Sequence, residues 1–166
     1  MNYRLTARHL IVPSLFAAFW SAAPAVASSL DTQSSSLTVS VLARGELVVP
    51  ASIDFPDASP TAGAQTVPVS IVAKARIAKG GTATLTVSAA DLSDGGAGDS
   101  ITASRFSWTT SSAGYQAGTL SNSAVTMGQW GNSGVQNGSL NWIFTPQWTD
   151  NVGSYSTTIN YTLSTP

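Results

Sequence analysis

Tyr155-Ser-Thr-Thr-Ile-Asn-Tyr-Thr-Leu-Ser164 is the stretch that decides the fold class. Tyr155, Thr157, Ile159, Tyr161 and Leu163 fall on one face, and Ser156, Thr158, Asn160, Thr162 and Ser164 on the other. That period of two belongs to a β-strand with one side against a core. The same alternation recurs upstream. Val69, Ile71, Ala73 and Ala75 alternate with polar or charged neighbours within 67–77, and Ala83, Leu85 and Val87 alternate with threonines within 82–89. Further strands are predicted over 37–42, 46–55 with a break near Pro50, 105–110, 124–130 and 140–145.

Between 67–77 and 82–89 stands Lys79-Gly80-Gly81, and a glycine pair supplies the positive φ of a tight hairpin. These two strands are therefore expected to pair antiparallel. The chain past residue 27 is rich in Ser, Thr, Gly, Val and Ala, with few Glu or Lys and almost no helix-forming runs. Short strands, a turn signal every ten residues or so and no intervening helices predict an all-β protein. The expected architecture is an immunoglobulin-like antiparallel β-sandwich of about seven to nine strands. Gly153-Ser154-Tyr155, following Asp150, suits a tyrosine corner, in which the phenol bonds back to upstream backbone; a tyrosine simply packed in the core is the other reading.

The N-terminus addresses the compartment. Arg4 and Arg8 precede an apolar stretch from Leu10 to Ala23, and Ala25-Val26-Ala27 supplies the small-x-small pattern of a cleavage site. A signal peptide over 1–27 is expected. The stretch, interrupted by Pro13 and flanked by Pro24, is shorter than the roughly 20 apolar residues of a membrane span. Removing 27 of the 166 residues leaves 139. That is enough for a single domain with its own core, expected over 37–166 behind a flexible lead-in at 28–36. The expected location is secreted, periplasmic in transit or at the cell surface, with no transmembrane segment in the mature chain.

Charge and chemistry are sparse. The only His is His9, inside the predicted signal, and there is no Cys. The mature chain thus lacks the commonest general base, the thiol nucleophile and the usual zinc ligands. Its five basic and eight acidic side chains offer no basic face for nucleic acid. Lys74, Arg76 and Lys79 form the nearest candidate and read as a solvated strand face. Glu46, Asp54 and Asp57 are close enough in sequence to suggest a carboxylate pair, but nothing marks one of them as an acid catalyst, and no Ser-x-x-Lys is present. The chain is expected not to be an enzyme. Asn137-Gly-Ser139 and Asn160-Tyr-Thr162 match the glycosylation sequon, which has meaning only in a eukaryotic secretory pathway.

Two constellations suit binding. Asp91, Asp94 and Asp99 lie on a loop with Gly95, Gly96 and Gly98, and such carboxylates can curl around a hard cation, calcium being the candidate cofactor. A solvated hairpin loop is the competing reading. The Gly95-Gly96-Ala97-Gly98 run resembles the start of the calcium-binding nonapeptide of secreted repeat toxins, with Ser100 where that family has Asp. Trp108, Tyr115, Trp130, Trp142 and Trp148 concentrate in the C-terminal half. Trp142 alternates with Leu140 and Phe144 and belongs to the core. Trp130 and Trp148, near predicted loops, are the ones expected to be exposed. With Tyr115 they are candidates for stacking on a glycan.

Gly153-Ser-Tyr155-Ser-Thr-Thr-Ile159-Asn-Tyr161-Thr-Leu163 resembles the closing strand of bacterial fimbrial subunits of the CS1 or alpha type, which end in Gly-x-Tyr and alternating apolar residues. Thr165 stands where better-known pilins have Tyr. The resemblance implies an incomplete sandwich that accepts a strand from a chaperone and then from the next subunit. It makes Leu37, Val39 and Val41 the candidate donor strand. A wider resemblance, through Thr82-Ala-Thr-Leu-Thr-Val-Ser-Ala-Ala-Asp-Leu92 and Trp108, is to secreted Ig-like repeats and WxL-like surface domains; the WxL motif itself is not in the sequence. Both imply an exported structural or adhesive protein whose partners are further copies of itself or other surface subunits. A secreted carbohydrate-binding module is the alternative.

Overall fold

A computed structural model describes residues 34–56, 58–96 and 98–165. The predicted signal peptide, residues 28–33 of the lead-in and Asp57 lie outside the described residues. The chain divides into two units, 1–38 and 39–166. Residues 34–38 of the first are exposed and without regular secondary structure.

The second unit is all-β. Its strands are β1 (Arg44–Val48), β2 (Gln65–Arg76), β3 (Ala83–Ala89), β4 (Leu92–Ser93), β5 (Ser100–Ile101), β6 (Phe106–Thr110), β7 (Gly118–Thr119), β8 (Val125–Trp130), β9 (Gly134–Phe144) and β10 (Ile159–Ser164). A five-stranded sheet has the order β1-β2-β9-β6-β7, a three-stranded sheet the order β10-β3-β8, and β4 pairs with β5. Every pairing is antiparallel. The two larger sheets share one core: Ile71, Ala73, Trp108, Leu140 and Trp142 from the first meet Leu85, Val87 and Met127 from the second. The alternation in β2, β3 and β9 sends these side chains inward, which is why sequence period and burial coincide there.

The expected hairpin between 67–77 and 82–89 does not form. β2 is flanked by β1 and β9, and β3 by β10 and β8, so the chain crosses from one sheet to the other over 77–82. The physical reason is that both strands carry an apolar face. Crossing sets those faces against each other, whereas a hairpin would leave them side by side and uncovered. Gly80 adopts φ 80°, and the Ile77 amide donates to Ser133 Oγ at 2.9 Å, fixing the crossover.

Other boundaries shift. Residues 37–42 are not a strand. β1 ends at Val48, ahead of Pro50, which has no amide to donate. Val49, Ile53 and Phe55 continue without ladder bonds but still pack on the core, Phe55 edge-on to Phe106 and Phe144. β9 begins six residues before the predicted 140, and β10 starts at Ile159 rather than Tyr155. Upstream of β10, the Tyr155 hydroxyl donates to the Asn151 carbonyl at 3.0 Å, the bond a tyrosine corner makes, and its ring also packs against the core, so both readings of Tyr155 find support. Among the described residues no helix is long and apolar enough to cross a membrane.

Candidate functional site

Of the five candidate aromatics, only Trp148 is exposed, at 82%. The expectation that Trp130 is exposed is corrected: it is 7% exposed, and Tyr115 is buried equally. Glycines make the slots. A Cβ at Gly128 would sit 2.7 Å from the Trp130 ring, and one at Gly138 would sit 2.5 Å from Tyr115 Cζ. The two rings meet edge to face at 5.0 Å, and the Tyr115 hydroxyl donates to the Gln136 carbonyl at 3.0 Å. Burial pushes the Tyr115 phenol up. Trp142 is in the core as expected, 5.2 Å from Trp108, whose indole N–H donates to the Gln116 carbonyl at 2.7 Å. The signal that could have placed Trp130 was Gly128, two residues away on the same strand face. Four of the five candidate aromatics therefore build the core, and Trp148 is the one of them on the surface.

The carboxylates of the acidic loop are already engaged within the chain. Asp91 accepts from the Ala103 amide at 2.8 Å, Asp94 from the Gly96 and Gly98 amides at 3.2 Å each, and Asp99 from the Asn151 side chain at 2.8 Å. Among the described residues no three His, Cys, Asp or Glu side chains gather as a metal site requires. Asp91, Asp94 and Asp99 do not form such a group, and each carboxylate has the partners named above. Of the acids weighed as a catalytic pair, Glu46 is 2.8 Å from Lys74 Nζ and Asp54 accepts from Ser52. The hydrogen bond and charge of Lys74 hold the Glu46 carboxyl below its ordinary value. An acid catalyst needs the opposite shift.

A different ion pair fixes the end of the molecule that carries the acidic loop. Arg105 grips Asp150 through both terminal guanidinium nitrogens, Nη1 and Nη2, and Nη2 donates to the Thr145 carbonyl at 2.6 Å, while its guanidinium lies 5.1 Å from the centre of the Phe144 ring. Asp150 in turn accepts from the Gln147 amide at 2.7 Å. Arg105 holds the Asp150 carboxyl below its usual value. Trp148 is displayed on this braced turn. Sequence reasoning passed over Arg105 and Asp150, which are 45 residues apart.

The feature best suited to a partner is a thinly covered flank. β1 and β10 are edge strands of the two larger sheets and approach each other at one end, where the Cβ position of Gly45 lies 3.3 Å from Leu163 Cδ2. Along this flank, Leu47, Val49, Ile53, Ile159, Tyr161 and Leu163 are only half-buried against the core. Their counterparts Leu85, Val87 and Ala89, next in from β10, are fully buried. The outer edge of β10 has no strand partner among the described residues. Tyr161 concentrates the deficit: its hydroxyl is shielded from solvent with no hydrogen-bond partner among the described residues, and burial pushes its phenol up to about 12. Nearby in sequence to β1, Leu37 is 92% exposed, and Val39, Val41 and Leu42 are exposed as well. Four large apolar side chains in six residues stand in water. The chain matches no family model and no curated protein.

Proposed function

We propose that this chain is a structural or adhesive subunit of an exported assembly, an incomplete immunoglobulin-like sandwich completed by a strand from a second copy. The observation that carries the reading is a pairing of two deficits in one molecule. Leu37, Val39 and Val41 alternate on an exposed segment, and Ile159, Tyr161 and Leu163 alternate on an edge strand whose apolar face is half-covered. An extended peptide laid along β10 supplies main-chain hydrogen bonds to a free edge and side chains to the flank at the same spacing of two. Each of the three side chains so buried contributes on the order of 1.5–3 kcal/mol. Residues 34–43 give a reach of about 33 Å, enough to run the length of a six-residue strand. Export by the signal peptide and display at the cell surface belong to the same proposal. Among the described residues, a glycan-binding module would have Trp148 as its fully exposed ring.

The test is light scattering on size-fractionated mature protein, beginning at Ser28, over a range of concentrations. Concentration-dependent oligomers or fibres are expected, and removing residues 28–43 should leave a folded monomer. A wild-type chain that stays monomeric throughout, or a truncated one that polymerises normally, refutes strand exchange.

A further inference from the structure

The antiparallel registers sort the charged side chains to opposite ends of the sandwich. Arg44 begins β1 directly opposite Arg76, where β2 ends, and Lys74 and Lys79 lie at that same end. Glu46, an acid at that end, is held by Lys74. Arg44, Arg76 and the Ser133 turn line an open recess of about 360 Å³. At the other end, reached by following β3 from Ala83 to Ala89, lie Asp91, Asp94 and Asp99, with Arg105 paired to Asp150. The twelve residues of β2 separate the two ends by roughly 36 Å. That is several Debye lengths at physiological salt, so the ends do not neutralise each other within one molecule. Two arginines directly opposite on a β-ladder repel, a cost the subunit bears by itself.

We propose that the Arg44–Arg76 end of one copy docks on the Asp91–Asp99 end of the next, so that copies associate head to tail. The proposal rests on the strand-exchange reading and adds its polarity. The exposed segment leads directly into Arg44, at the basic end. A neighbour stacked by its acidic end on that basic end presents the Ile159 end of β10 first, because Ile159 pairs with Ala89. The donor segment then runs antiparallel to β10, placing Val41 by Ile159, Val39 by Tyr161 and Leu37 by Leu163. The arginines suit carboxylates because each guanidinium offers paired donors. The contact is heterologous, so it propagates rather than closing on a dimer.

The experiment measures the assembly rate of the full mature chain by light scattering at low and high salt. Arg44→Glu/Arg76→Glu changes two exposed side chains. Asp91→Asn/Asp94→Asn/Asp99→Asn keeps an oxygen acceptor for each of the bonds the carboxylates receive, and circular dichroism checks both variants for folding. Each should slow low-salt assembly about tenfold or more, the scale of electrostatic steering. Combining them should cost little beyond either alone, because both remove the same contact. High salt should bring wild type down to the variants. Losses that multiply, or rates indifferent to the substitutions and to salt, overturn the head-to-tail contact while leaving strand exchange standing if removal of residues 28–43 still abolishes polymers. A wild type monomeric at every concentration overturns both.

Discussion

Tyr161→Phe should stabilise the isolated subunit, the reverse of what removing a buried polar contact normally does. The Tyr161 hydroxyl is out of solvent and without a partner among the described residues. A buried donor left unpaired costs about 1–3 kcal/mol, and the phenylalanine ring keeps the packing of the tyrosine ring. Because the residue is half-exposed in its other atoms, the gain expected at pH 7 is about 1 kcal/mol. The alkaline limb gives a second, independent magnitude. The phenol is raised from 10.0 to about 12 by burial, so the fold favours the neutral form. Up to pH 10 this group is neutral whether the chain is folded or not, so its ionisation takes nothing from stability there. Between 10 and 12 the unfolded chain ionises first, and stability falls by up to about 2 kcal/mol after allowance for solvent screening. The Tyr161→Phe variant should lack that share of the fall. Urea titrations from pH 7 to 12, followed by the fluorescence of buried Trp108, Trp130 and Trp142, measure both quantities. A variant less stable than wild type by about 1 kcal/mol at pH 7 would show that the hydroxyl has a partner, and an unchanged slope between pH 10 and 12 would show that the phenol is solvated; either result refutes the reasoning.

Two further substitutions probe the frame around the flank. Gly138→Ala places a Cβ 2.5 Å from Tyr115 Cζ and should cost about 2–4 kcal/mol in urea unfolding, from overpacking and the strained Tyr115 hydrogen bond; a cost below about 0.5 kcal/mol would contradict the packing. Asp150→Asn breaks the Arg105 clamp and should cost about 1–2 kcal/mol. Since the Asp150 carboxyl is held low, its contribution is present above its unfolded value near pH 4 and is lost as pH falls through the lowered folded value. Acid titrations of wild type should show this fall, and the Asn variant should not.

Local patterning was enough for the all-β class and most of the core. Val69, Ile71, Ala73, Leu85, Val87, Leu140 and Trp142 could be placed because strand alternation is a local property, and each such side chain is buried. The Tyr155–Asn151 bond, which closes over four residues, was legible as one of two readings for the same reason, and the scarcity of catalytic groups is a matter of composition. Which strands pair was settled by long-range packing. Lys79-Gly80-Gly81 permits a tight turn, but whether β2 and β3 become neighbours depends on β9 and β10, supplied more than fifty residues later. The same holds for Trp130, whose burial depends on Gly114 across the sheet as much as on Gly128 beside it, and for Asp91, Asp94 and Asp99, whose oxygens meet backbone and Asn151 amides rather than one another. The half-covered flank and the two charged ends are likewise properties of register: neither β1 nor β10 carries in its own residues the information that the other lies beside it, because an edge exists only once the remaining strands have taken their places.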